Sequence, residues 1–446
     1  MAENAQGLTR TLSDFIVSFE AGKIPPEAFE HARVAFLDWV AVTMAGKDDP
    51  LVHKLIRYAD IMGGNSQSTI IGHKIKKSVA QAALINGSAS HALDYDDTLA
   101  LFFGHPSVTL FPALLALSEW KEKSGRDFLT AYLVGLQAGT TIGASAGFEH
   151  YMVGWHATAT IGHLASAAGC ARLLGLDRPQ VSHALGIAGT QASGLKRVFG
   201  TMCKPFHAGM ASEAGLMAAV LAGDGFTSAE DILEGPHGFF AALKGAEQKE
   251  MVGRLGVRWE VEDLAQKYHA SCHATHSPLE AVWGIVREKG IALDDIKSIT
   301  VHSSQLALDA AGKMHPGTGL EGKFSIPYCV ANALLRGVTG MEAFTDEKVN
   351  DPAVKALMDK VKVVLDPEIK ALESRVEVEV SDGAVYSGFS DILQEIPPLN
   401  VKRERIASKA MDLCVPVLGS EGAKRVVDQV MDLERIPDMR RFAESL

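Results

Sequence analysis

The sequence lacks several features that mark large classes of protein. Its five cysteines are scattered along 446 residues without a CxxC pair, which argues against a zinc finger or a disulfide framework and is typical of reduced thiols. No apolar run approaches the roughly 18 residues that cross a bilayer, and the N-terminus has no basic start followed by an apolar stretch. From these absences we expect a cytoplasmic protein that does not enter a membrane.

Positive charge is also scarce. The chain has 43 lysines and arginines against 54 aspartates and glutamates, which gives a formal net charge of −11. A negative chain without a basic block repels a phosphate backbone, so we expect no nucleic-acid partner. Any anionic substrate must therefore be held by a few local cations.

Motifs for nucleotide binding and for a serine nucleophile are missing as well. No GxGxxG follows a predicted strand, no GxxxxGK[ST] occurs, and there is no GxSxG. These motifs would supply a phosphate-binding loop or a nucleophile on a strand-to-helix turn. The sequence offers neither.

Helical patterns fill most of the chain. From about residue 8 to 250, and again after the segment PPLN, apolar residues recur at helical spacing. Between them, IKSITVHSS and RVEVEVSDGAVYSGFS alternate with period two, and Asp382-Gly383 predicts a hairpin. The predicted fold is mainly α: an all-α domain of residues 1–257 and 396–446, and a smaller α+β domain of residues 258–395 with an antiparallel sheet.

Polar side chains that carry chemistry gather in five short segments. The segments are HALDYDDTLALFFGHPS, EHYMVGWHATATIGH, LKRVFGTMCKPFHAG, QKYHASCHATHSP and GKFSIPY. Histidine, lysine and tyrosine can move a proton on or off carbon and stabilise the anion that forms, and cationic side chains also hold carboxylates. The blander interpretation is that Asp94, Asp97 or Thr98 only caps a helix.

A metal site is the alternative interpretation of DYDDT. Three aspartates near histidines suit Mg²⁺, Mn²⁺ or a transition metal. The segment lacks the glycine and the distal glutamate of an EF-hand loop, and no HExxH pair occurs. A metal-dependent all-α isoprenoid-type enzyme would need a second motif for its other metals, and none is found. The sequence therefore favours no metal, and this enzyme class and a non-enzymatic helical scaffold stay as alternatives.

The ordered set of motifs resembles the MmgE/PrpD family over about residues 10 to 440. The matching segments are HALDYDDT with GHPS, GWH, KPFHAGMASEAGLMAAVLAGDGF, KYHASCHATH and KFSIPY. The resemblance implies an all-α domain built from both ends of the chain, a smaller α+β domain, and a homodimer. It also implies chemistry without a metal or an organic cofactor, on a small anionic di- or tricarboxylate.

Site residues follow from the resemblance, motif by motif. It implies four catalytic residues, His105, His156, Lys204 and Tyr328, and four substrate-binding residues, Asp94, Thr98, Lys267 and His276. We hypothesise that His156 or His105 is the base, that Lys204 stabilises an enediolate-like anion, and that Tyr328 or the second histidine returns the proton.

The specific reaction is the finest prediction. The family includes 2-methylcitrate dehydratase, cis-aconitate decarboxylase and iminodisuccinate epimerase. Many relatives have Pro and Cys after the Tyr of the fourth motif, where this chain has His269 and Ser271. Because of this histidine-rich motif we expect epimerisation of iminodisuccinate, with a hydro-lyase of the 2-methylcitrate dehydratase type and cis-aconitate decarboxylase as alternatives.

Overall fold

A computed structural model of the chain describes residues 7–446. Within these residues the α-helices are α1 (Leu8–Ser18), α2 (Pro26–Gly46), α3 (Pro50–Met62), α4 (Val79–His91), α5 (Ser107–Lys121), α6 (Gly125–Met152), α7 (Ala157–Leu174), α8 (Arg178–Gln191), α9 (Cys203–Gly223), α10 (Phe239–Leu243), α11 (Lys249–Arg254), α12 (His276–Lys289), α13 (Gln305–Ala311), α14 (Gly319–Gly322), α15 (Ile326–Arg336), α16 (Asp346–Val349), α17 (Pro352–Met358), α18 (Leu399–Met431) and α19 (Met439–Ala443). The strands are β1 (Ser68–Ile70), β2 (Ile75–Lys77), β3 (Ile296–Ser303), β4 (Val361–Leu365), β5 (Glu373–Val380) and β6 (Val385–Asp391).

The chain splits into two compact units. The first runs up to Gln266 and includes Leu399–Leu446, and the second is Lys267–Pro398. The predicted fold class, mainly α with a smaller α+β part, is confirmed. The predicted domain limits, after residue 257 and after residue 395, stay predictions.

The first unit is a stack of helices held close by small residues. Helix α9 packs against α4 and α7, and α7 also packs against α6. The backbones of α4 and α9 nearly touch, because a Cβ added at Gly87 would lie 2.8 Å from the Cα of Gly209. Such close packing sets the relative position of the helix ends tightly. At one end of this stack α4 finishes at His91 while α5, α7 and α9 begin.

Both ends of the first unit's sequence meet in its core. Helix α18, near the C-terminus, packs along α2 near the N-terminus. A short antiparallel hairpin pairs β1 with β2, from Ser68 opposite Lys77 to Ile70 opposite Ile75. This hairpin was not predicted from the sequence, because three-residue strands are too short to show alternation.

The second unit is a four-stranded sheet with helices against one face. The strand order is β4-β3-β5-β6. The predicted hairpin is confirmed: β5 and β6 are antiparallel and turn at Gly383, whose φ is +89°. The sheet is not wholly antiparallel as predicted, because β4 pairs with β3 in parallel after a helical crossover. Val282 and Ile285 of α12 pack with Val376 and Val378 of β5 in its core.

In the part of the chain that is described, no helix is both long enough and apolar enough to span a membrane.

Candidate active site

The segment HALDYDDT lies where the helices of the first unit end. Helix α4 begins with a capping box of Ser78 and Gln81 and ends at His91, so the next residues form the connection to α5. Asp94 in this connection has a φ of +53°. A non-glycine residue in the left-handed region is strained and persists only where its surroundings hold it.

Asp96 joins two histidines. Its carboxylate oxygens lie 2.9 Å from Nδ1 of His91 and 2.8 Å from Nδ1 of His105. Burial opposes ionisation of Asp96, but the charges and hydrogen bonds of the two histidines hold the pKa of this carboxyl well below its usual value. Asp96 is therefore an ionised carboxylate that fixes the orientation of both rings.

Asp94 joins the same cluster to a lysine. The Nζ of Lys204, in the first turn of α9, lies 2.6 Å from Asp94 Oδ1, and His105 Nε2 lies 3.9 Å from the same oxygen. The side chains of Lys204 and Asp94 are each 18% exposed, so this pair is open enough to meet a ligand. The exposed ring of Phe199 lies 5.6 Å from the Lys204 ammonium.

His156 forms the third side of the cluster, just before α7. Its Nδ1 lies 3.1 Å from Nδ1 of His207, and its ring packs edge-on against Phe199 at 4.9 Å between centroids. Burial, together with the nearby charges of His91 and Lys204, holds the pKa of His156 well below its usual value. The imidazole is therefore neutral at physiological pH and able to accept a proton.

One nitrogen in the cluster lacks a partner. The Nε2 of His91 is buried and, among residues 7–446, has no hydrogen-bond partner. Buried polar atoms are nearly always satisfied by protein, water or a ligand. Helices α7 and α9 also begin at this cluster, and the positive ends of their dipoles favour a negative group. The surroundings thus suit an anionic molecule.

Thr98 and Asp97 complete the segment in different ways. Thr98 is held by its backbone, which exchanges hydrogen bonds of 3.0 and 2.9 Å with Ala265. Asp97 accepts a hydrogen bond from Ser107, which in turn lies 2.9 Å from the Tyr132 hydroxyl. Burial, with smaller contributions from neighbouring carboxylates, raises the pKa of Asp97 to about 8, so it is protonated at neutral pH.

In the second unit, Lys267 and His276 are both buried. His276 lies 4.7 Å, ring to ring, from both His269 and His273. Burial and the neighbouring His273, His269 and Lys267 hold the pKa of His276 well below its usual value. Its Nε2 lies 3.3 Å from the carbonyl oxygen of Ser271, while its Nδ1 is buried without a partner among residues 7–446.

Tyr328 has a different environment within the same unit. Its side chain packs with Leu279 and Val349, and its hydroxyl donates to the carbonyl oxygen of Ala343. Burial raises the pKa of Tyr328 to about 12. With its proton engaged by a backbone carbonyl, Tyr328 is not poised to donate in this conformation, and its catalytic role stays a prediction.

The structure thus brings four of the predicted site residues of the first unit into one cluster: Asp94, His105, His156 and Lys204. Three neighbours not assigned to the site from sequence lie in the same cluster: His91, Asp96 and His207. A signal for His207 was available, because it follows Lys204 by three residues and so shares a helix face. Whether His91 and Asp96 face the site depends on the turn at Asp94, which the sequence does not specify.

Four of these residues could hold a metal ion. His91, Asp94, Asp96 and His105 each offer one ligand atom, all within 4.8 Å of one another. Two of these groups are already engaged, since Asp96 contacts both histidines and Asp94 pairs with Lys204. A divalent cation would be repelled by the Lys204 ammonium, so this donor set fits a metal poorly.

Fold and cluster together define a class: a helical protein with an added α+β unit, in which histidines and carboxylates meet a lysine at converging helix ends. Two family models match the chain. The MmgE/PrpD N-terminal domain matches residues 10–252, and the MmgE/PrpD C-terminal domain matches residues 269–433. The chain belongs to the MmgE/PrpD family, as its motifs predicted.

Curated relatives span nearly the whole chain. It is 28% identical to a cis-aconitate decarboxylase of Aspergillus terreus, covering 99% of this chain and 96% of the relative. It is 25% identical to the cis-aconitate decarboxylase of Homo sapiens, over 97% of this chain and 93% of the relative. It is 24% identical to a 2-methylcitrate dehydratase of Salmonella typhimurium, over 96% and 94%.

Proposed function

We propose that this chain is a lyase that acts on a small di- or tricarboxylic acid by proton transfer at carbon. Decarboxylation of a cis-aconitate-like tricarboxylate is the first candidate, because relatives named for that reaction match at up to 28% identity over 99% of the chain. Dehydration of a 2-methylcitrate-like acid is the second, since relatives of that name are also similar.

One observation carries the proposal: a neutral histidine beside a lysine ammonium and a carboxylate-oriented histidine. His156 is kept neutral by burial, Lys204 is a cation held by Asp94, and His105 is oriented by Asp96. These are a base, an anion-stabilising group and an acid, which suit reactions that pass through a carbanion next to a carboxylate.

In the decarboxylation, the C–C bond to one carboxylate breaks and carbon dioxide leaves. The electron pair stays on the carbon skeleton and spreads onto a neighbouring carboxylate, where the Lys204 ammonium stabilises the charge. His156 takes up a proton from solvent and delivers it to carbon. The net change is loss of carbon dioxide and gain of one proton.

In the dehydration, the same groups act in another order. A neutral His156 removes the proton from the carbon next to a carboxylate, and Lys204 stabilises the anion. Protonated His105 then delivers its proton to the departing hydroxyl, so that water leaves and a double bond forms. Asp94, Thr98, Lys267 and His276 are proposed to bind the carboxylates and hydroxyl of the substrate.

Epimerisation of iminodisuccinate needs only the proton removal and a return to the opposite face. The relatives support the decarboxylase and dehydratase alternatives better than this specific prediction. With the family established, no observation favours an isoprenoid-type enzyme or a non-enzymatic scaffold. The homodimer and the cytoplasmic location stay predictions, and light scattering of the purified protein tests the first of these.

The test is a panel of acids in D₂O followed by NMR. The purified protein is incubated separately with cis-aconitate, 2-methylcitrate and iminodisuccinate, and deuterium at carbon and the product structure are read together. We expect a decarboxylated product carrying deuterium from cis-aconitate, or an unsaturated product from 2-methylcitrate. Absence of product and of exchange with all three acids would overturn the proposal.

A further inference from the structure

Helix α18 carries two deeply buried lysines on one face. Lys402 is 0% and Lys409 is 6% exposed, and their spacing of seven residues places both side chains on the same side of a helix. Lysine is rarely buried unless its ammonium group is paired.

Lys409 holds the middle of the segment that carries Asp94 and Asp96. Its Nζ lies 2.6 Å from Asp38 Oδ1 on α2 and donates to the backbone carbonyl of Tyr95 at 2.7 Å. The same ammonium lies 3.7 Å above the Tyr95 ring. Tyr95 stands between Asp94 and Asp96, so a contact to its carbonyl constrains both.

Lys402 acts on the other end of this segment, at Thr98, indirectly through the backbone of residues 262–265. Its Nζ donates to the carbonyl oxygens of Glu262 and Leu264, at 2.8 and 3.0 Å. The next residue, Ala265, exchanges two backbone hydrogen bonds with Thr98. The two lysines of one helix thus fix the stretch 94–98 near its start, at Tyr95, and at its end, at Thr98.

The stretch needs such support. Asp94 has a left-handed φ of +53°, a conformation that is unfavourable for a non-glycine residue and relaxes unless its surroundings hold it. If Tyr95 were released, Asp94 would lose its position against Lys204, and Asp96 its position between His91 and His105.

We infer that Lys409 and Lys402 of α18 are positioning residues of the active site. Their ammonium groups clamp the backbone of residues 94–98, Lys409 directly and Lys402 through the neighbouring residues 262–265. The inference rests on the proposed function for its catalytic consequence. Its structural consequence, a rigid stretch 94–98, is independent of any substrate.

The test compares the Asp38→Asn/Lys409→Met double variant with the wild-type protein. Removing both charges avoids an uncompensated buried carboxylate, which would destabilise the fold. Hydrogen–deuterium exchange is read in the peptide spanning residues 93–99, where the amides of Asp94 and Thr98 donate to backbone carbonyls. Lys424→Met, at an exposed lysine of α18 beyond the kink at Gly419, is the control.

We expect exchange in residues 93–99 to quicken about tenfold in the double variant, with exchange in α7 unchanged. The kcat should fall about tenfold or more, because Asp96 no longer orients the histidines, and KM should rise as well, because Asp94 and Thr98 are displaced with it. Lys424→Met should match the wild type in both readouts.

Two outcomes overturn the inference. Wild-type exchange in residues 93–99 of a folded double variant would show that Lys409 does not hold the stretch, whatever the activity. Faster exchange with unchanged kcat would show that the clamp does not position the catalytic groups. If the double variant does not fold, exchange and kcat are measured on Lys402→Met instead. This substitution leaves the buried ion pair between Asp38 and Lys409 in place. If the wild type turns over no acid, the proposed function fails while the exchange result still decides the clamp.

Discussion

The two sides of the segment HALDYDDT differ sharply although their residues are adjacent. On one side Asp96 contacts two histidines and keeps its pKa well below the usual value; on the other, Asp97 meets Ser107 in the core and its pKa rises to about 8. Both carboxyls are almost fully buried. Burial alone therefore does not set the charge of a carboxyl group; the partners it finds do.

We therefore assign Asp94 and Asp96 to the site, as its first side, and Asp97 to the packing of the core, as the second side. Asp94 and Asp96 face the histidines and Lys204, while Asp97 joins the packing beneath them. If the division is right, substitutions on the first side impair turnover, and the equivalent substitution on the second side changes only stability.

The largest effect is expected from Lys204→Ala. Loss of the ammonium removes the group that stabilises the developing anion, so kcat/KM should fall about 10³-fold. Steady-state kinetics on the acid identified in the D₂O panel measure it, with thermal unfolding to confirm the fold. The exposed Lys54 provides the control variant Lys54→Ala, and equal activity of the two variants would contradict the assignment.

Asp96→Asn should be the next largest. An amide keeps the shape but not the charge that orients His91 and His105, so kcat should fall about 10²-fold. Asp97→Asn is the matched neighbour and should stay within about twofold of the wild type. Similar losses of kcat in both variants would contradict the assignment of Asp96 to the site and of Asp97 to the core.

His276→Gln extends the comparison to the second unit. His276 has an unpartnered Nδ1 among residues 7–446 and a neighbourhood of histidines rather than carboxylates. As a substrate-binding residue it should raise KM about tenfold and leave kcat within about threefold. A large loss in kcat at unchanged KM would instead place it among the acid–base groups.

Asp97→Asn should have the smallest effect on turnover but a clear effect on the pH dependence of stability. Because the pKa of Asp97 is raised from 3.8 to about 8, the folded protein binds a proton that the unfolded chain has lost. The contribution of this residue to stability is therefore full below pH 3.8 and is lost as pH rises to about 8. Removing it should stabilise the protein at pH 8 relative to the wild type, by on the order of 1–3 kcal/mol.

Urea unfolding of the wild type and Asp97→Asn at pH 5.5 and pH 8.5 measures this difference. The gap between the two proteins should widen at the higher pH. A gap that is the same at both values would mean that Asp97 is ionised in the folded protein.

Much of the fold follows from the sequence, because helical spacing and the Asp382-Gly383 hairpin are local signals. The β1–β2 hairpin and the parallel pairing of β4 with β3 are not local. Strands of three residues carry no measurable period, and the pairing of β4 depends on where a helical crossover returns the chain.

The site divides in the same way. The motifs predicted Asp94, His105, His156 and Lys204, which the fold brings together from four helix ends, the end of α4 and the starts of α5, α7 and α9. The motifs did not show which of Asp96 and Asp97 faces the histidines. The orientation of these two side chains depends on the left-handed turn at Asp94 and on the contact of Lys409 with Tyr95. Left-handed backbone at an aspartate has no sequence signature as strong as that of glycine.

The most direct test of the central claim is deuterium incorporation in a single turnover. Wild type and His156→Gln are mixed in excess with the active acid in D₂O, and deuterium at the product carbon is followed by rapid quench and NMR. We expect incorporation in the wild type and a loss of about 10³-fold in rate in the folded variant. Incorporation at the wild-type rate in His156→Gln would contradict this expectation.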